Sequence, residues 1–127
     1  MGRIMYRIQK QFHFSAAHAL SYLPADHPCH HLHGHNYIVE VVLEAEELDD
    51  RHFVEDYRDL RAVKDFIDRH FDHRNLNDVM ETATSAENIA RYLFEKFKTL
   101  FPAMTKVRVS ETPKTWAEYF ETKPEGA

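Results

Sequence analysis

Between His27 and Asn36 the chain reads HPCHHLHGHN. His27, His30, His31, His33 and His35 crowd around Cys29, the only cysteine. Imidazole and thiol hold borderline metals and move protons near neutral pH. Within the stretch, His33-Gly34-His35 has the spacing that matters most. In extended backbone, residues two apart point the same way, so H-x-H delivers two imidazoles to one side. Gly34 between them lets the backbone bend or approach closely. A third ligand must come from elsewhere, and His18 in FSAAHAL is the leading candidate if its strand lies beside the H-x-H pair. Three neutral imidazoles suit zinc and leave its fourth position open, the mark of a catalytic site. Cys29 as fourth ligand would instead close the site and make it structural. On residues alone both alternatives stand. His27, His30 and His31 read as solvated loop residues.

The elements that must position these groups are legible from periodicity. YRIQKQFHF alternates, with Tyr6, Ile8, Phe12 and Phe14 on one face and Lys10 interrupting it. HNYIVEVVLEAE, from His35, alternates again, with Tyr37, Val39, Val41 and Leu43 on one side. A long loop carrying Pro24, Pro28 and the histidine cluster joins the two strands. In YRDLRAVKDFIDRHF, Leu60, Val63, Phe66, Ile67 and Phe71 recur at helical spacing, and Asp56 is placed to cap the start. A second helix follows in TATSAENIARYLFEKF. Thr84 and Glu87 have capping-box spacing, and Ile89, Leu93, Phe94 and Phe97 form the stripe. KVRVSETPKTWAEYF gives two short strands broken near Pro113. The order β-β-α-α-β-β predicts an α+β fold: a four-stranded antiparallel sheet with both helices on one face. The opposite face carries Gln9, Gln11, His13, Glu40 and Glu44 and is too polar for a dry core. Its open edges favour joining between copies into a wet-lumened barrel.

Composition narrows the function. The 127 residues, 43% of them hydrophobic, suit one domain over 1–127. Mean hydropathy is -0.58, and no apolar run approaches the roughly 18 residues a membrane span needs. The net charge of -5 argues against nucleic acid as main partner. A lone cysteine and a start without a hydrophobic secretory core predict a cytoplasmic protein.

Six separated segments, taken together, resemble one family. They are FSAAHAL, CHHLHGHN, FVEDYRDLR, FDHRNLND, ATSAENIA and SETPKTWAEY. Their order over about Tyr6 to Tyr119 resembles the 6-pyruvoyl-tetrahydropterin synthase family. The four-residue offset from Cys29 to His33, and the ETPKTWAEY tail, are most similar to its 6-carboxy-5,6,7,8-tetrahydropterin synthases of queuosine biosynthesis. Ala83 stands where a proline is frequent. The resemblance implies the tunnelling fold (T-fold), whose trimers close sheets into a barrel and pair into homohexamers, with active sites at subunit contacts. It implies Zn2+ on His18, His33 and His35. It also implies Cys29, Asp72 and His73 as catalytic residues and Glu111 as the pterin anchor. The implied substrate is 7,8-dihydroneopterin triphosphate. The implied products are 6-carboxy-5,6,7,8-tetrahydropterin, acetaldehyde and triphosphate. Beside that reading stand a pyruvoyl-tetrahydropterin synthase and a non-catalytic pterin- or metal-binding module. Without the resemblance, Asp72-His73 reads as a helix C-terminal turn with a dipole-stabilised histidine, and Glu111 as a surface strand residue.

Overall fold

The computed structural model describes residues 2–122. Strands β1 (Tyr6–His18) and β2 (His33–Ala45) pair antiparallel along their whole length. Helices α1 (Arg61–His70) and α2 (Ala86–Phe97) follow, and then β3 (Met104–Thr112) and β4 (Thr115–Phe120). The sheet order is β1-β2-β3-β4, antiparallel throughout. This is the predicted four-stranded sheet with two helices. β2 begins at His33 rather than His35, which brings the whole H-x-H into regular strand geometry.

Period two decides which side chains meet the helices. Phe12, Phe14 and Ala16 of β1, Tyr37, Val39, Val41 and Leu43 of β2, and Val107 and Val109 of β3 are buried on one face. Leu60, Val63, Ile67 and Phe71 pack against them with Ile89, Ala90, Leu93 and Phe97 of α2. Phe14 stacks on Tyr37 with centroids 4.7 Å apart. Lys10, out of pattern in the sequence, lays its stem along this face and sets its ammonium 5.7 Å from the Phe12 ring.

Two expectations change. Asp56 does cap a start, accepting from the Arg58 N–H at 2.9 Å, but it caps a 3-10 turn (Tyr57–Leu60) that runs into α1. The cap of α2 is Ser85, whose hydroxyl accepts from the Asn88 N–H at 3.2 Å. Thr84 is one residue too early and fully buried. Adjacent Thr and Ser both suit a cap, so sequence spacing alone does not choose between them. The polar face is also drier than expected: Glu40 is buried.

The β1 edge is partly covered at its C-terminal end. The Ala17 N–H donates to the Arg74 carbonyl at 3.0 Å, and the His73 N–H to the Ser15 carbonyl at 2.7 Å. No helix among the described residues is long and apolar enough to cross a membrane.

Candidate metal centre

The β1–β2 register sets His18 opposite His33 and Ala16 opposite His35. All three imidazoles therefore lie on the helix-facing side, at the end of the hairpin. One ligand nitrogen from each falls within 4.8 Å of the other two, a cluster able to hold a metal ion. The rings meet edge to face, with centroids 4.6, 5.1 and 4.8 Å apart.

Hydrogen bonds fix which nitrogens face inward. His18 Nδ1 donates to the Thr84 carbonyl at 2.7 Å, with the Thr84 hydroxyl at 3.2 Å. His33 Nδ1 donates to the His31 carbonyl at 2.7 Å. A carbonyl only accepts, so each ring carries its proton on Nδ1 and turns an Nε2 lone pair inward. The two Nε2 atoms are 3.1 Å apart. Two lone pairs at that distance repel, and a cation between them relieves the repulsion. His35 Nε2 is buried without a hydrogen-bond partner. An orphaned buried nitrogen of this kind also calls for a ligand. Burial is the main force holding the His18 and His35 pKa values below the ordinary imidazole range; the Glu111 carboxylate opposes it. The neutral imidazole is the form that binds a metal. The donor set and its carbonyl supports fit zinc.

Glu111 of β3 leans over this cluster. Its Oε1 lies 3.9 Å from His18 Nε2 and its Oε2 3.8 Å from His35 Nε2. Those distances are too long for hydrogen bonds. Glu111 also lines a cleft of about 370 Å³ with Glu87, Thr115 and Trp116. Tyr37 is buried in the cluster's wall, with its ring 5.4 Å from His35 and 5.9 Å from His18. Its hydroxyl has no partner. Burial, reinforced by the Glu111 charge, pushes the phenol pKa upward, so it stays a donor.

Cys29 sits in a 3-10 turn (Pro28–His30), a free and half-buried thiol. Its N–H donates to His27 Nδ1 at 3.0 Å, and its carbonyl accepts from the Leu20 N–H at 2.9 Å. It is outside the cluster of ligand atoms, which consists of the three histidines alone. Two of the histidines read as solvated thus have local work: His27 caps the cysteine turn, and His30 Nδ1 bonds the Leu23 carbonyl at 2.7 Å.

Asp72 and His73 lie just beyond α1, docked on the β1 edge. Asp72 Oδ1 accepts from the Ser15 N–H at 3.0 Å, and Oδ2 lies 3.0 Å from His73 Nδ1. The Ser15 N–H, followed by His73, holds the Asp72 carboxyl below its usual range. His73 has φ 59, a left-handed conformation uncommon outside glycine, stabilised here by its N–H bond to Ser15. Its side chain is 83% exposed. His73 and His35 line the same cleft of about 560 Å³, together with Gly34 and Asn75. Among the described residues no hydrogen bond or ring contact joins Asp72 or His73 to the three imidazoles. The holding roles of Ser15 and Thr84 were beyond sequence reasoning: Ser15 acts through its N–H and Thr84 chiefly through its carbonyl, and backbone atoms leave no mark on residue type.

A family model described as 6-pyruvoyl tetrahydropterin synthase matches residues 7–122. A dihydroneopterin monophosphate aldolase of Pyrococcus furiosus is 36% identical over 107 residues, 84% of each chain. A 6-carboxy-5,6,7,8-tetrahydropterin synthase of Bacillus subtilis is 26% identical, covering 90% of this chain and 84% of that protein. Among solved structures, the 6-pyruvoyl tetrahydropterin synthase of Caenorhabditis elegans superposes with a TM-score of 0.81 at 30% identity, covering 94% of this chain and 98% of that one.

Proposed function

The chain belongs to the 6-pyruvoyl tetrahydropterin synthase family, and from that premise we propose that it converts 7,8-dihydroneopterin triphosphate to 6-carboxy-5,6,7,8-tetrahydropterin with release of acetaldehyde and triphosphate, in queuosine biosynthesis. One observation carries the reading: one buried and two half-buried imidazoles turn their inward nitrogens to one point while the nearby thiol stays outside the cluster. Zinc held by His18, His33 and His35 supplies Lewis acidity to the substrate side chain. Cys29, unligated, serves as the base that takes a proton from that side chain; its turn, held by His27 and Leu20, presents the sulfur on a fixed backbone. Glu111 accepts two N–H bonds from the 2-amino-4-oxo edge of the pterin. Asp72 orients His73, and their 3.0 Å contact supports a proton-relaying pair. The exposure of His73 at the β1 edge suits work at a contact with another copy, in a homohexamer of paired trimers. Light scattering tests that assembly; a monomeric mass refutes it.

The 36% identity to the Pyrococcus furiosus protein supports a second reading, an aldolase acting on dihydroneopterin monophosphate. The match to the Caenorhabditis elegans structure supports a third, a pyruvoyl synthase. Incubation with each phosphorylated dihydroneopterin, followed by mass analysis, separates them. The leading reading expects a carboxylated pterin and acetaldehyde from the triphosphate. An intact three-carbon side chain on the product, or turnover of the monophosphate alone, overturns it.

A further inference from the structure

Glu111 is placed to do more than hold a pterin ring. Its two oxygens stand at 3.9 and 3.8 Å from the inward nitrogens of two different imidazoles, one on β1 and one on β2. His18 donates through Nδ1 to the Thr84 carbonyl, His35 Nε2 is buried without a hydrogen-bond partner, and neither inward nitrogen is close enough to the carboxylate for a hydrogen bond. A carboxylate gains little from facing two imidazole nitrogens at distances too long for hydrogen bonds. Its position is favourable only with a cation between the groups. We propose that Glu111 caps the metal in the resting protein, occupying the fourth position, and leaves it when a ligand offers the carboxylate a pair of N–H donors. This rests on the metal and pterin readings above and deepens them: recognition of the ring and exposure of the metal become one event.

A second observation shows where the carboxylate can go. Glu111 follows Ser110, the partner of Ile38 at the end of the β2–β3 pairing, and Tyr37 packs against His35, the imidazole beneath the Glu111 carboxylate. The Tyr37 hydroxyl is fully buried and bonds to nothing while Glu111 leans over the imidazoles. Leaving a buried donor unpaired costs about 1–3 kcal/mol. A carboxylate turned off the metal gives that hydroxyl an acceptor. The resting and bound positions are therefore each supported by different groups: the cation in one, and Tyr37 with the incoming N–H pair in the other. Ligands without the donor pair cannot displace the cap, so small anions are kept from the metal.

Cobalt(II) reports the ligand set through its visible absorption, independently of turnover. The experiment loads the full chain with Co2+ and compares wild type with Glu111→Gln, before and after neopterin. The cap predicts a different resting spectrum in Glu111→Gln and an affinity for Co2+ about tenfold weaker. It also predicts azide binding at lower concentration than in wild type. Neopterin should shift the wild-type spectrum, with no variant needed, and leave that of Glu111→Gln nearly unchanged. Tyr37→Phe should keep the resting spectrum and weaken neopterin binding severalfold, read by fluorescence quenching. Identical spectra and azide responses in wild type and Glu111→Gln overturn the cap while leaving the metal centre intact. A wild-type chain that takes up no Co2+ overturns the metal centre itself. One that takes up Co2+ but does not bind neopterin overturns the pterin reading and the coupling with it.

Discussion

Two buried polar groups sit on opposite faces of the same sheet, and their surroundings differ in kind. On the face away from the helices, Gln11, Glu40, Arg108 and Glu118 are direct cross-strand partners running across all four strands. Glu40, its side chain only 3% exposed, accepts from Gln11 Nε2 at 2.8 Å and from Arg108 Nη1 at 3.0 Å. Arg108 in turn lies over Trp116 at 4.4 Å. Arg108 Nε makes no hydrogen bond but lies 3.4 Å from Glu118 Oε2, so the ladder sets opposite charges beside one another. On the helix face, three imidazoles point free nitrogens at one another, and His35 Nε2 and the Tyr37 hydroxyl have no partner. The ladder pairs its charges across the strands; the imidazole cluster has no such pairing. A closed network holds the sheet together, whereas an open one stays favourable only when something binds.

Mutations sharpen the contrast. His33→Ala should abolish turnover and weaken zinc binding by more than ~100-fold, since even outer partners of metal ligands are worth about 10- to 100-fold. Metal analysis after dialysis checks this, and thermal stability of the metal-free chain should change little. Arg108→Met should do the reverse. It leaves Glu40 buried with only Gln11, costs about 3 kcal/mol in urea unfolding, and spares metal affinity. If Arg108→Met released zinc, the two networks would not be independent.

The pH response of the metal-free chain follows from the imidazoles. The native pKa values of His18 and His35 are depressed, so the unfolded chain binds protons that the native one does not. Stability from this source is complete above the ordinary histidine pKa of about 6.5 and is lost as pH falls through the depressed native values. Denaturant midpoints across that window should fall with pH, and His18→Asn should flatten the slope.

Smaller effects separate neighbours. Thr84→Val removes the hydroxyl 3.2 Å from His18 Nδ1 but keeps the carbonyl. It should cost about tenfold or less in zinc affinity. Ser85→Ala removes the cap of α2, costs about 1 kcal/mol of stability, and leaves zinc affinity unchanged. Calorimetry with and without zinc distinguishes the two.

Much of this was legible without coordinates. The alternation of Phe12, Phe14, Tyr37, Val39 and Val41 marked the core face, and H-x-H at strand spacing marked two ligands. The helical stripes from Leu60 and Ile89 marked what covers them. What failed locally failed for one reason. Thr84 and Ser85 are chemically equivalent candidates for a cap, and the choice is made by His18, 66 residues away, which takes the Thr84 carbonyl. Glu40 reads as a solvent-facing strand residue because its partners Gln11 and Arg108 are remote in sequence.

Residue type and period thus determined which side chains share a face and which chemistry they can offer, because backbone geometry alone sets those directions. Only tertiary structure decided that His18 stands against His33, that Cys29 stays apart, that Asp72 docks on Ser15, and that Glu111 overhangs the cluster. These are distances between strands and loops, set by register and packing, and no local pattern encodes them.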